Sequence, residues 1–379
     1  MIVGVVREIR EQENRVGVVP SGVEAFRAHG HSVLVQRGAG GASGHEDARY
    51  QEAGATLLES AAQVWAGADL VVKVKEPQPS EYKLLRRKQM IFTYFHFAAS
   101  REMTEAVLAS GCVAIAYEGV TTPDGRLPLL APMSEIAGRM AAQQAARFLE
   151  RSQGGRGVLM GGVPGVEPAT VVVVGGGSVG SQAARVAAGM GARVFILDTR
   201  LEILRNLAEW MPANVTPLMS DTEVLRRLLP RTDALISAVL RPGLRAPRIL
   251  SREMVARMQP GSVVVDVAID QGGSLETSRP TSHADPVFVE EGVLHYCVPN
   301  MPGGVPVTST LALTNATLPW ALQLADRGWA RASLAEESLA KGVAVVNGGV
   351  SSPEVAQSFD LPWIAVIDLA REDVHGSTA

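Results

Sequence analysis

The sequence is poor in cysteine and carries little net charge. Two cysteines, Cys112 and Cys297, occur in 379 residues, too few and too far apart for a disulfide framework or a cysteine-based metal centre. Both lie among apolar neighbours, where cysteine usually packs as a small hydrophobic side chain. A formal net charge of −4 excludes the basic excess that a nucleic-acid-binding surface requires, so no nucleic acid is expected as a partner.

Long apolar runs and targeting segments are absent as well. No stretch approaches about 18 uninterrupted apolar residues, so no membrane-spanning helix is predicted. The amino terminus enters a strand-like pattern without the basic and apolar regions of a secretory signal. Together with the low cysteine content, these features predict a protein of the reducing cytoplasm without a membrane partner.

The composition that remains is that of a globular protein. Hydrophobic residues make up 46% of the chain and charged residues 20%, which excludes disorder as the dominant state. At roughly 150 residues per domain, the length predicts two domains or three. The 38 glycines and 22 prolines are scattered between apolar runs and do not form repeats, so collagen-like and low-complexity structures are excluded.

Short β-branched runs alternate with longer helical patterns, as in proteins built from βαβ units. In the first third, strands are predicted at 2–6, 32–36, 69–74, 90–95 and 113–117, and helices at about 21–29, 47–65 and 101–110. A second block predicts strands at 171–174, 193–197, 215–218, 233–239, 262–269 and 293–297, and helices at 179–190, 200–209, 221–229 and 251–258. Six strands that alternate with helices in this way match a complete doubly wound nucleotide-binding domain. Two long helical patterns, 132–151 and 309–328, flank this block, and Pro319 predicts a kink in the second of them.

We therefore predict an α/β fold with two Rossmann-like doubly wound domains. Residues 1–130 and 307–379 would form a discontinuous substrate and catalytic domain, into which the nucleotide-binding domain, residues 131–306, is inserted. The alternative is two sequential domains followed by a loose tail. It is less favoured, because the apolar pattern within 334–370 requires burial.

The clearest motif is a glycine triplet between a predicted strand and a predicted helix. Gly175 permits the tight turn, Gly177 lets a pyrophosphate approach the backbone, and Gly180 allows close contact between helix and strand. The helix amino terminus then offers N–H groups to the phosphates. Asp198, at the end of the next strand, is placed to accept hydrogen bonds from a ribose and favours NAD over NADP, whereas the nearby Arg200 leaves NADP open.

Four polar residues are predicted at or just after the carboxyl ends of strands, where open α/β sheets bind their ligands: Arg15, Lys75, His96 and Asp270. Only five of the 35 basic residues are lysines, so a lysine that closes an apolar run is unusual. Lys73 shares a strand face with Lys75, and one of the two is expected to extend to water.

Each of these residues also has a plain structural interpretation. Arg15 could be a solvated loop charge, and a histidine among aromatic residues is often a satisfied core residue. Asp270 is favoured over Asp266, because it lies at the end of its strand. Together the four predict an amino-acid oxidation site, in which Arg15 and Lys75 bind the carboxylate, His96 transfers protons, and Asp270 orients water or stabilises a cationic iminium.

Long segments of the chain resemble the L-alanine dehydrogenase family. The resemblance covers nearly the whole chain and rests on EQENRVGVVP, VKVKEPQPSEY, FTYFHFAAS, GVLMGGVPGVEPATVVVVGGGSVG, VVDVAIDQGG, ETSRPTSHADP, HYCVPNMPGGVP and ALTNATLP. Segments with such idiosyncratic prolines and glycines are more specific than the glycine triplet alone.

The resemblance implies a reversible, NAD-dependent conversion of L-alanine and water to pyruvate and ammonia, carried out by a homohexamer. No metal site is predicted. It implies that Arg15 and Lys75 contact the substrate carboxylate and that His96 and Asp270 are the catalytic acid/base pair. Beyond the glycine triplet, it implies NAD contacts at Ser134, Ser178, Val179, Asp198, Ser220, Val239, Leu240, Val267, Ala268, Ile269, Asp270, Val298, Pro299, Asn300 and Met301.

The chain departs from the family pattern at three positions. Ile203 stands where a basic residue is common, and Gly304 and Val307 stand where Ala and Arg are expected. Two other functions remain as alternatives: the soluble nucleotide-binding part of a proton-translocating transhydrogenase, and a non-catalytic NAD-binding regulator. The first is expected to lack a complete amino-acid site, and the second predicts NAD binding without turnover.

Overall fold

The computed structural model describes residues 1–239 and 246–376. Contacts between α-carbons divide the chain into two compact units. The first unit consists of Met1–Met133 together with the chain from Val305 on, and the second unit is Ser134–Gly304.

Strands and helices alternate along most of the chain. The strands, in chain order, are β1 (Ile2–Val5), β2 (Ser32–Gln36), β3 (Thr56–Leu58), β4 (Leu70–Val72), β5 (Met90–Thr93), β6 (Val113–Ala116), β7 (Thr170–Val174), β8 (Arg193–Asp198), β9 (Val215–Met219), β10 (Ala234–Ser237), β11 (Val263–Asp266), β12 (Val287–Glu290), β13 (Val293–Tyr296), β14 (Val343–Val346) and β15 (Gly349–Val350). The helices are α1 (Pro20–Ala28), α2 (Asp47–Glu52), α3 (Ala61–Gly67), α4 (Arg101–Ser110), α5 (Ala131–Phe148), α6 (Ser178–Gly189), α7 (Leu201–Trp210), α8 (Thr222–Leu228), α9 (Arg252–Val255), α10 (Pro306–Ala335), α11 (Glu337–Gly342), α12 (Pro353–Phe359) and α13 (Val366–Gly376).

The sheet of the first unit has the strand order β15-β14-β6-β5-β4-β1-β2-β3. Strands β1 to β6 pair in parallel, whereas β14 and β15 add an antiparallel edge. Strands β4, β5 and β6 are buried along their whole length. Continuous apolar runs are typical of parallel strands that are covered on both faces.

The sheet of the second unit has the order β12-β13-β11-β10-β7-β8-β9. Its strands pair in parallel except for β12, which is antiparallel to β13. Two parallel-dominated sheets confirm the predicted fold class of two Rossmann-like α/β domains. In such sheets the carboxyl ends of the parallel strands share one edge, where ligands bind.

Each unit has an apolar core of its own. In the first unit, Trp65, Phe95 and Met103 belong to one buried cluster. In the second, Val172, Leu235 and Val264 belong to another. Both cysteines are buried, as predicted. Burial raises the pKa of the Cys112 thiol to about 11 and that of the Cys297 thiol to about 12, so both stay protonated at neutral pH.

The predicted helix over 47–65 was wrong. The structure has α2, then β3, then α3, which begins after the capping residue Ser60. The Ser60 side chain accepts a hydrogen bond from the Gln63 N–H, and the Gln63 side chain accepts one from the Ser60 N–H. This capping box ends β3 and starts a new helix.

The predicted kink at Pro319 was wrong in its position. Helix α10 contains Pro319, but its non-helical residue is Gly328, with φ 72° and ψ 162°.

The strand predicted over 262–269 ends at Asp266, and a 3₁₀ helix occupies Val267–Gln271. Of the described helices, none has both the length and the apolar composition needed to cross a bilayer.

Candidate active site

Three of the four candidate residues follow neighbouring strands of the first unit. Arg15 lies in the loop after β1, Lys75 follows β4, and His96 follows β5. These strands are adjacent and parallel, in the order β5-β4-β1, so their carboxyl ends lie at one edge of the sheet. The Thr93 hydroxyl donates a 2.9 Å hydrogen bond to the carbonyl oxygen of Lys75, which ties two of these ends together.

Arg15 is a buried cation with a fixed partner. Its side chain is 2% exposed, and its Nε and Nη2 atoms donate to the two carboxylate oxygens of Glu13 at 2.7 and 2.5 Å. Burial alone would lower the pKa of the guanidinium, but the Glu13 carboxylate outweighs it and raises that pKa. Nη1 lies 3.0 Å from the Met133 sulfur. Arg15 is therefore not a solvated loop charge but a positioned one.

Lys73 and Lys75 both lie in the interior, so the expectation that one of them extends to water was wrong. The Lys73 Nζ atom lies 3.0 Å from Oε1 of Glu81 and 3.3 Å from Oε2 of Glu8. Burial raises the pKa of Glu8, although the charge of Lys73 acts to lower it. Burial would lower the pKa of Lys73, but the carboxylates of Glu8 and Glu81 outweigh it and raise that pKa. Glu8 also accepts the N–H groups of Val74 and Lys75, at 2.6 and 3.3 Å, and so fixes the backbone that carries Lys75.

His96 is exposed, so it is not the core residue that its aromatic neighbours suggested. Its backbone is left-handed, with φ 49° and ψ 46°, and its ring is nearly parallel to that of Tyr94 with centroids 5.8 Å apart. Glu118 holds this conformation: its Oε1 accepts the N–H of His96 at 2.5 Å and that of Phe95 at 3.1 Å. A non-glycine residue in this region needs such support and is common at functional sites.

Sequence reasoning missed Glu118, which follows β6, the strand beside β5. Burial raises the pKa of its carboxyl, whereas the N–H of His96 and the charge of Lys75 act to lower it. The rule that found His96, a polar residue just after a buried strand, applies equally to Glu118. Glu8 and Glu13 carried no comparable signal. The role of Glu8 depends on which strands become neighbours, and that of Glu13 depends on the loop conformation that brings it against Arg15.

The glycine triplet forms a tight backbone turn in the second unit. Gly175, directly after β7, has φ 104°, and a Cβ at Gly180 would lie 1.7 Å from the Gly175 carbonyl oxygen. A Cβ at Gly177 would meet no heavy atom within 4 Å in the described part of the chain. Gly177 is also the N-cap of α6, so no side chain of that residue covers the N–H groups of the first helical turn. The turn has the open backbone that a pyrophosphate group requires.

Asp198 ends β8 beside this turn. Its Oδ2 accepts the N–H of Gly176 and its Oδ1 accepts that of Arg200, each at 2.9 Å. Burial would raise the pKa of Asp198, but the hydrogen bonds from Arg200 and Gly176 outweigh it and lower that pKa. The carboxylate is therefore charged at neutral pH. The Arg200 Nε lies 3.3 Å from the same carboxylate, so its guanidinium is turned toward Asp198.

Other predicted cofactor residues also follow parallel strands of the second unit. Ser220 follows β9, Val239 follows β10, 267–270 follows β11, and 298–301 follows β13. Ser178 and Val179 open α6, and Ser134 lies in the first turn of α5. Leu240 lies outside the described residues.

Asp270 lies within the 3₁₀ helix that follows β11. Its side chain is exposed, and its carboxylate oxygens accept the N–H of Asn300 at 3.0 and 3.3 Å. Asp266, the other acid of this segment, is fully buried. A bound substrate therefore has access to the carboxylate at 270 and not to the one at 266.

Gly304, where the family pattern predicts alanine, has a local explanation. A Cβ at this position would lie 2.8 Å from Cε1 of His283 and 3.4 Å from the methyl carbon of Met140. The imidazole of His283 thus occupies the space that an alanine methyl group would need.

Comparison with known proteins gives matches over most of the chain. The model described as "Alanine dehydrogenase/PNT, N-terminal domain" matches residues 4–137, and "Alanine dehydrogenase/PNT, C-terminal domain" matches residues 141–353. The alanine dehydrogenase of Mycobacterium tuberculosis (strain CDC 1551 / Oshkosh) is 52% identical over 363 residues, which cover 96% of this chain and 98% of that protein. That of Methanococcus maripaludis is 50% identical over 364 residues, with the same coverage.

Solved structures agree with these matches. A structure titled L-alanine dehydrogenase is 49% identical, with a TM-score of 0.92, and the match covers 95% of this chain and 99% of that one. A transhydrogenase from Sinorhizobium meliloti is 24% identical with a TM-score of 0.79, over 93% of this chain and 99% of that one. The second likeness shows the fold alone.

Proposed function

The chain belongs to the alanine dehydrogenase/PNT family, and from this premise we propose that it catalyses the reversible, NAD-dependent oxidative deamination of L-alanine to pyruvate and ammonia. One observation carries the proposal beyond dinucleotide binding. The first unit places a buried arginine, a buried lysine and an exposed histidine after three neighbouring parallel strands. A protein that only binds a nucleotide has no need of such a set of side chains.

Arg15 and Lys75 bind the carboxylate of the substrate. Two cations in a poorly solvated setting attract a carboxylate more strongly than the same charges do in water. Glu13 is aligned along one edge of the Arg15 guanidinium and fixes its orientation before substrate arrives. Glu8 fixes the backbone at Lys75 in the same way.

His96 and Asp270 are the proposed acid/base pair. An imidazole gains and loses a proton closest to neutral pH, which suits the transfer of protons to and from water and the departing amine. The contact of Glu118 with the His96 backbone holds that residue in place. Asp270 carries the negative charge that orients the attacking water or stabilises the cationic iminium.

A nicotinamide cofactor follows from family membership, and NAD is the form that we propose. The open backbone at Gly177 and the amino terminus of α6 fit its pyrophosphate, and the charged Asp198 fits a ribose and repels a 2′-phosphate. When bound there, the cofactor would supply the acceptor for the hydride that leaves the α-carbon of alanine. The other proposed NAD contacts are Gly175, Gly180, Ser134 and the residues named above that follow β9, β10, β11 and β13.

The reaction balances with water as the second reactant. Loss of hydride from the α-carbon turns the amine into an iminium; water then adds to that carbon, the carbon–nitrogen bond breaks, and ammonia leaves with pyruvate as the other product. His96 takes a proton from the water and returns one to the nitrogen. From the family resemblance and the low cysteine content, we further propose a cytoplasmic homohexamer.

The direct experiment is an assay of NADH formation with L-alanine against a panel of other amino acids, each with NAD and with NADP. L-Alanine with NAD is expected to give the highest kcat/KM. Binding of NADH without turnover of any amino acid would favour the regulator. Hydride exchange between two nucleotides without amino-acid turnover would favour the transhydrogenase.

A further inference from the structure

Asp266 is a buried carboxylate at the end of β11, four residues before Asp270, and it is 1% exposed. We propose that Asp266 is a positioning residue that holds the loop 267–278 and thereby places Asp270 for catalysis. The inference rests on the proposed function, because it concerns the position of the acid at 270.

The loop supplies four hydrogen-bond donors to this carboxylate. Oδ1 accepts the N–H of Ala268 at 3.1 Å and the hydroxyl of Ser274 at 3.0 Å. Oδ2 accepts the N–H of Ser274 at 2.8 Å and the hydroxyl of Ser278 at 2.6 Å. A carboxylate has about four lone-pair sites, so the loop fills the acceptor capacity of Asp266. Removing such a partner leaves buried donors unsatisfied, which is costly.

Glycines allow the loop to approach the carboxylate so closely. Gly273 has φ 78°, and a Cβ there would lie 3.1 Å from Oδ2 of Asp266 and 2.9 Å from the Cβ of Ser278. Gly272 also has a positive φ, of 91°. The hydroxyl groups of Ser274 and Ser237 lie 2.5 Å apart, which joins the loop to the end of β10. The loop is thus built around Asp266 and attached to the neighbouring strand.

Asp270 lies between two fixed points. On one side, Asp266 caps the 3₁₀ helix Val267–Gln271 through the N–H of Ala268. On the other, the N–H of Asn300 donates to the carboxylate of Asp270 itself. Loss of the first fixed point lets the acid shift, and a misplacement of about 1 Å can lower a rate by about 10²-fold.

The test compares Asp266→Ala and Asp266→Asn in alanine oxidation. For Asp266→Ala we expect kcat to fall by about 10²-fold. For Asp266→Asn we expect a smaller fall, because the amide oxygen still accepts from two of the donors. KM for L-alanine should stay near the wild-type value, because Arg15 and Lys75 hold the substrate carboxylate.

Asp233→Asn is the matched control. The Asp233 carboxylate also accepts a backbone N–H, from Thr170 at 2.8 Å, and an arginine donor, Arg156 Nη1, at 2.7 Å. It lies just before β10, at the amino end of the strand, whereas Asp266 lies at a carboxyl end. Its loss should lower stability without lowering kcat, which separates positioning from general destabilisation.

A double-mutant cycle with Asp270→Asn decides whether Asp266 acts through Asp270. In the Asp270→Asn background, Asp266→Ala should change the single-turnover rate by less than about twofold, since residues that act as a unit are not additive. Persistence of the full loss in that background, or wild-type kcat in Asp266→Ala, would overturn the proposal.

Hydrogen exchange tests the positioning role of Asp266 if Asp266→Ala does not fold or if Asp270→Asn leaves no measurable rate of alanine oxidation. Exchange in Asp266→Asn should then rise within 267–278 and not elsewhere in the second unit. Unchanged exchange in this segment would overturn the proposal. Absence of alanine turnover in the wild-type protein would instead count against the proposed function.

Discussion

The two units prepare for their ligands by different physical means. In the second unit the glycine triplet works through the backbone: the positive φ of Gly175, the absence of side chains and the amino terminus of α6. In the first unit the site works through buried charge, with Arg15 paired to Glu13 and Lys73 paired to Glu8 and Glu81. A backbone site tolerates little added volume, whereas a charged site tolerates little loss of charge.

Removal of the buried ammonium group in the first unit should have the largest effect on stability. Lys73→Met leaves the carboxylates of Glu8 and Glu81 buried without their cation, and breaking a buried ion pair in this way typically costs about 3–5 kcal/mol. Lys83→Met is the matched control, because Lys83 is exposed and should change the free energy of unfolding by less than about 0.5 kcal/mol. Equal denaturant midpoints for the two variants would show that the charge network contributes no stability.

Added volume should break the backbone site while leaving the fold intact. In Gly177→Ala the new methyl group meets no described protein atom within 4 Å, so the expected loss of unfolding free energy is that of a poorer N-cap residue, about 1 kcal/mol. The methyl group would occupy the approach of the pyrophosphate, and the Kd for NADH should rise by about 10-fold or more. Fluorescence titration measures this Kd, and an unchanged value would place the phosphates elsewhere.

A change of charge at the ribose end should alter specificity more than affinity. Asp198→Gly removes the carboxylate that repels a 2′-phosphate, so the ratio of kcat/KM with NAD to that with NADP should fall by about 10-fold. Initial rates with the two nucleotides measure this ratio. If it does not change, discrimination between the nucleotides does not depend on Asp198.

The smallest effect is a pH dependence of stability in the second unit. His295 is buried, its Nε2 lies 2.8 Å from the Thr277 hydroxyl, and burial lowers its pKa below the ordinary 6.5. The unfolded chain therefore binds a proton at a higher pH than the native chain does. Stability from this residue should be complete above about pH 6.5 and should fall as the pH drops below that value.

His295→Gln removes this titration. Because other groups also titrate, the informative quantity is the slope of unfolding free energy against pH between about 5 and 7, compared between wild type and variant. The wild-type slope should be the steeper one. Identical slopes would mean that His295 is protonated equally in both states.

The difference between the two units also explains what could be predicted from the sequence. The glycine triplet lies within one short segment, and each glycine is required by the local backbone there. Gly175 and Gly180 could therefore be interpreted without a structure. The partners of Lys73 could not, since its contact with Glu8 exists only because β1 and β4 pair. Strand β3 was missed for the same reason: it is three residues long and forms on the edge of β2.

The acids that support the site were harder to recognise than the residues they support. His96 and Asp270 stand just after buried strands, a position that can be inferred from the local pattern. Glu118 also follows a buried strand and Asp266 ends one, but their function is to accept hydrogen bonds from the backbone of another segment. Such a role depends on loop conformations that hydrophobic periodicity does not encode.

The proposed roles of His96 and Asp270 are tested most directly by measuring NADH binding and alanine turnover on the same preparation of His96→Ala, with Asp270→Asn in parallel. We expect alanine-dependent NADH formation to fall by about 10²–10⁴-fold in each variant, while the Kd for NADH stays near the wild-type value. Wild-type turnover in either variant would contradict the role assigned to that residue. If a variant lost NADH binding as well as turnover, the substituted side chain would be needed for cofactor binding. That result would contradict the assignment of catalysis to these side chains and of cofactor binding to the backbone of the second unit.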